Sequence, residues 1–194
     1  ALGVAPSQGL PLLAEALLRS GQEAVLVERH GRQTLPDALA QAQLATTLAE
    51  AQARLGQADA AQARLAAALQ ARPGHPPALR LQARLLAAGG DLAAAVTRLQ
   101  ALLAAQPGDA EAWLLMGHLL LHQDAEPAQV LAAWRQALVL QPDLASAHAA
   151  IVALHLARRD LEAAGQQLAA MRQRLPQHPR TLQFEAELAA ARGD

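Results

Sequence analysis

The chain has 194 residues, no cysteine and a net charge of −1, with 17 acidic residues against 16 basic ones, all of them Arg. This balance argues against a strongly charged binder of nucleic acid or membrane, and the lack of cysteine excludes disulfides, thiolate chemistry and Cys-ligated metal centres. Ala (51 residues) and Leu (38) are strong helix formers, while Val, Ile and Thr together number 13, too few for a sheet.

The punctuation predicts eleven helices. A leading pair covers about 7–20 and 22–30. The stretch Gly31-Arg32-Gln33-Thr34-Leu35-Pro36-Asp37 follows, a linker after a short second helix, with Pro36-Asp37 starting a longer helix. Then come pairs at about 36–55 and 58–71, 76–88 and 91–105, 110–122 and 127–140, and 144–158 and 160–174. A single helix at about 179–192 closes the chain. No uncharged apolar run of about 20 residues is present, so no membrane span is expected. No basic segment followed by an apolar core marks a signal peptide.

Helix-stopping prolines recur at Pro73, Pro107, Pro142 and Pro176, spaced 34, 35 and 34. Midway lie turn signals at Gly56-Gln57, Gly89-Gly90-Asp91, Gln123-Asp124 and Arg159-Asp160. The unit is helix, turn, helix, stop. The spacing of 35 reflects one extra residue in Gln123-Asp124-Ala125-Glu126, and Pro127 suits the first turn of the helix that follows. A period near 34 with Trp113, Gly117, Leu120, Ala137 and Pro142 resembles the tetratricopeptide repeat. In this reading the aromatic Trp113 fills the gap between paired helices, and Trp113→Ala costs roughly 3–5 kcal/mol. Gly117 lets the helices approach, with Ala49, Ala83 and Val152 in its place elsewhere. Ala61 and Ala95 take the small position of the second helix.

The fold expected is an all-α, right-handed superhelical solenoid of antiparallel helix pairs. Its parts are residues 1–35 (leading pair and linker), repeats at 36–75, 76–109, 110–144 and 145–178, and the first helix of a truncated or capping repeat at 179–194. The chain starts on Ala1 and closes on Arg192-Gly193-Asp194 without a partner helix, so it reads as an excised piece of a longer repeat protein.

The segments GVAPSQGLPLLAEALLRSGQ, AVLVERH, the Leu35-Pro36 linker, AQARLGQADAAQARLAAALQARPG, LLAAGGDLAAAVTRLQALLAAQPGDAEAWLLMGHLLLHQ and ALVLQPDLASAHAAIVALHLARRDLEAA resemble the tetratricopeptide-repeat lipoproteins of the PEP-CTERM system. The resemblance implies a lipid-anchored bacterial envelope protein that accompanies exopolysaccharide production and protein sorting. The lipid anchor would lie upstream, since no Cys is present. The resemblance places the chain in the bacterial periplasm or at the envelope membrane; the alternative location is the cytoplasm.

The repeat register places Gln43, Thr46, Glu50, Arg80, Arg84, Glu111, Leu114, His118, Ala149, Ala153, Gln183 and Glu187 along a concave groove lined by first helices. Arg80 and Arg84, four apart, would share a helix face and grip a carboxylate or acidic sugar. The chain has neither Lys nor Asn, which excludes the carboxylate clamp of chaperone-binding repeats.

His118 and His122 have metal-compatible spacing but need further ligands, and His148 and His155 are seven apart, so a structural role is favoured and no metal or cofactor is expected. Gly89-Gly90 is a turn, not a phosphate cradle. Ser7, Ser20 and Ser146 have no evident base, Glu185 and Glu187 point to different faces, and Arg158-Arg159 suits a helix C-terminus. Trp113, Trp134 and Phe184 are too few for nucleic-acid stacking. The function expected is a non-enzymatic scaffold for a peptide or protein partner. The alternatives are direct polysaccharide binding and a spacer that self-associates through its last helix.

Overall fold

The computed structural model describes residues 6–193; Asp194 and the Ser7 side chain lie outside the described residues. The described elements are all helical: α1 (Pro6–Arg19), α2 (Glu23–His30), α3 (Ala38–Arg54), α4 (Ala58–Ala71), α5 (Pro76–Ala88), α6 (Leu92–Ala105), α7 (Ala110–His122), α8 (Pro127–Leu140), α9 (Ala145–Ala157), α10 (Leu161–Arg174) and α11 (Pro179–Arg192). They agree with the expected boundaries within two residues. The exception in kind is Pro36, which precedes rather than starts α3; Asp37 caps that helix, its side chain accepting from Ala40 N at 2.8 Å. The helices form two compact units, Ala1–Leu102 and Leu103–Asp194, with the division inside α6.

One turn design joins every pair. Gly21, Gly56, Gly90, Asp124 and Arg159 adopt positive φ of 71°, 74°, 89°, 53° and 57°. The residue after each sends its N–H back to a carbonyl five residues earlier. The pairs are Gln22 to Leu17, Gln57 to Gln52, Asp91 to Leu86, Ala125 to Leu120 and Asp160 to His155, all at 2.9–3.0 Å. This left-handed closure satisfies carbonyls that the helix end would leave open. One residue separates it from the next helix in four of the turns. Before α8 there are two, so the extra residue of the third repeat sits after the turn's left-handed residue and Glu126 becomes the N-cap.

In the first unit one core gathers Ala14, Leu18, Leu26, Leu44, Leu48 and Ala51, and a second gathers Ala45, Ala49, Leu65, Ala68, Ala78 and Leu81. The second unit has one core around Leu114, Val130, Trp134, Ala137, Leu144, Ala147 and Ile151. Another surrounds Ala149, Val152, Ala164, Leu168, Met171, Phe184 and Leu188. The small positions Ala49, Ala83 and Val152 are sealed, as are Ala61, Ala95, Val130 and Ala164. Each fully buried Leu contributes about 1.5–3 kcal/mol.

The aromatic that fills a helix gap is Trp134, not Trp113. Trp134 is 1% exposed and donates its Nε1 hydrogen to Leu114 O at 3.2 Å. A Cβ at Gly117 would stand 2.3 Å from that Nε1. Trp113 is only half-buried, and its Nε1 donates to Pro107 O at 2.9 Å, tying α7 to the loop before it. His148, one period later, uses Nε2 in the same way on Pro142 O at 3.0 Å. The expected 3–5 kcal/mol for Trp113→Ala therefore belongs to Trp134.

Candidate functional site

In the first unit, α3 and α5 are successive first helices and they meet through charge. Glu50 and Arg84 are one period apart, with Glu50 Oε2 lying 3.2 Å from Arg84 Nη2. The other oxygen, Oε1, lies 3.0 Å from Arg54 Nη2, and Arg54 Nη1 lies 3.2 Å from Glu23 Oε1. Arg54 Nη1 also donates to Leu18 O at 3.3 Å. The result is an alternating series, Glu23, Arg54, Glu50, Arg84, running from α2 across α3 to α5. The Glu23 carboxyl is held below its ordinary range by its own backbone N–H at the start of α2, then by Arg54. Burial acts to lower the Arg54 guanidinium, but hydrogen bonds to Glu50 and Glu23 outweigh it and leave it raised.

Arg80 and Arg84 do not form a symmetrical fork, because Arg84 is turned to Glu50. Arg80 and Gln43 are half-buried. Thr46 is buried and spends its hydroxyl on Ala42 O at 2.7 Å, so it presents nothing to a ligand. His75 stands at the N-cap position of α5 without a side-chain capping bond, and it is buried with no partner for Nε2. Burial, then Arg72 and Arg80, pushes its imidazole below the usual histidine range.

The second unit presents Glu111, Ala153, Gln183 and Glu187 to solvent, whereas Leu114 and Ala149 are buried in its cores. Gln183 Nε2 donates to Glu187 Oε1 at 2.7 Å. His118 lies edge-on to Trp134, with ring centroids 5.4 Å apart at 65°. Burial, and then His122, lowers its proton affinity.

His148 and His155 are also taken up internally. Gln167 Nε2 donates to His148 Nδ1 at 2.7 Å, and His155 Nδ1 lies 3.4 Å from Asp160 Oδ2. Among the described residues no three His, Asp or Glu side chains converge to hold a metal. Glu185 pairs with Arg172 at 3.4 Å, apart from Glu187. No helix among the described residues is long and apolar enough to cross a membrane.

Two hollows in the first unit lie beyond the reach of motif reasoning. One of about 270 Å³ lies between α4 and α5, lined by Gln62, Leu65, Ala66, Gln82, Leu85 and Leu86. The other, of about 550 Å³, is lined by Gly9, Leu10, Leu13, His30, Gln33, Thr34 and Leu35, where α1 faces the end of α2 and its linker. The short second helix and its Gly31 to Asp37 linker are the sequence signal for that second hollow. For Glu50 and Arg84 the available signal is opposite charge at one-period spacing.

Residues 76–119 match the family model described as tetratricopeptide repeat. No curated protein matches the chain. Solved structures share its architecture. A thermophilic TPR protein in Thermus thermophilus superposes with a TM-score of 0.72 at 20% identity, over 95% of this chain and 98% of that one. Pseudomonas aeruginosa pilF gives 0.70 at 18% identity, over 97% and 85%. PilW, described as a widely conserved type IV pilus biogenesis factor, gives 0.71 at 17%, over 98% and 88%. At these identities the likeness shows the fold, and the chain has the tetratricopeptide-repeat fold of antiparallel helix pairs.

Proposed function

We propose that this chain is a non-enzymatic scaffold that binds a peptide or protein partner on the exposed first-helix faces of its repeats. Tetratricopeptide-repeat proteins mediate protein–protein interaction, and residues 76–119 carry that repeat. The observation that supports the reading most is the 3.2 Å contact between Glu50 of α3 and Arg84 of α5. It joins two successive first helices into one polar face while Arg84 keeps 48% of its side chain exposed. A guanidinium offers five donors, so Arg84 has capacity for a partner carboxylate beside Glu50. In the second unit Glu111, Ala153, Gln183 and Glu187 form the corresponding surface.

The resemblance to PEP-CTERM lipoproteins favours a partner in exopolysaccharide export or protein sorting at the bacterial envelope. Direct polysaccharide binding is the weaker reading. Sugar sites stack on exposed rings, and here Trp134 and Phe184 are buried and Trp113 is half-buried.

A pull-down from the envelope fraction tests the reading. The native chain should recover a protein that the Arg80→Ala, Arg84→Ala chain recovers at about a tenth or less, the loss of one charge-assisted contact of roughly 1.4 kcal/mol or more. Equal recovery by the two chains would exclude the first-helix face of α5 as the binding surface.

A further inference from the structure

We draw no further inference here: the strongest candidate, the apolar hollow of about 550 Å³ between α1 and the end of α2 with Leu10, Leu13 and Leu35 on its walls, carries nothing because nothing in the structure shows what covers it.

Discussion

Introducing Ala at position 117 should destabilise the second unit, although Ala is the better helix former. The added Cβ would lie 2.3 Å from Trp134 Nε1, 2.4 Å from Cδ1 and 2.9 Å from Cε2. The indole is 1% exposed, so it has no free volume to swing into. Overpacking of this kind costs about 1–3 kcal/mol. Displacing the ring also weakens the 3.2 Å bond to Leu114 O, about 1 kcal/mol more. Helix propensity returns about 1 kcal/mol, which leaves a net loss of about 1–3 kcal/mol.

In a Trp134→Leu background the pair becomes Ala opposite Leu, the combination already present at Ala49 and Leu65. Gly117→Ala should then stabilise by about 1 kcal/mol. The double-mutant cycle thus predicts a coupling of about 2–4 kcal/mol, read from urea midpoints at unchanged m-value. Additivity within about 0.5 kcal/mol would refute the steric argument.

Asp124 and Arg159 hold the left-handed turn position that Gly occupies in the other three turns. Arg159→Gly should therefore raise stability by about 0.5–1 kcal/mol, checked by thermal melting. Asp37→Ala should cost about 1 kcal/mol by removing the cap on Ala40 N, while Asp37→Ser keeps most of it; equal losses would argue against the cap. His75 and His118 both have proton affinities lowered by burial, so the unfolded chain binds protons more readily than the native one. Stability should be full above the ordinary value of 6.5 and fall as pH drops below it, and His118→Phe should flatten that slope in urea titrations at several pH values. Glu50→Gln removes the carboxylate shared by Arg54 and Arg84, both about half exposed. It should lower stability by about 1 kcal/mol or less, with the loss shrinking in high salt.

The helix ends are legible in the sequence because backbone chemistry writes them. Pro73, Pro107 and Pro142 cannot continue a helix, and Gly56 and Gly90 supply the positive φ that closes one. Asp124 and Arg159 are legible as turns only through their spacing. The two indoles are harder to separate. Trp113 and Trp134 both sit at apolar helix positions, and the decision lies in which helix faces Gly117, a matter of crossing geometry.

The same limit applies to Thr46, Leu114 and Ala149. Four-residue spacing puts them on a face with their exposed neighbours, but the width of the adjoining helix decides how much of that face is covered. The Glu50 and Arg84 pairing joins residues 34 apart in sequence, so no single helix pattern reveals it. His30 and Gln33 are visible only as an early stop, since α2 falls six residues short of α4.

The pairing of Gly117 with Trp134 also bears on how such an array can be rearranged. The turns are interchangeable, since each closes with the same geometry, but the packing between the two helices of a pair is private to that pair. A recombination junction placed at the proline stops would carry Gly117 and Trp134 together and leave both parents foldable. A junction at Gln123-Asp124 would instead bring the indole against Ala49, Ala83 or Val152, whose extra carbons occupy the space the ring requires. The heritable unit of this molecule is thus the helix pair, and its limits are set by one indole and one missing methyl group.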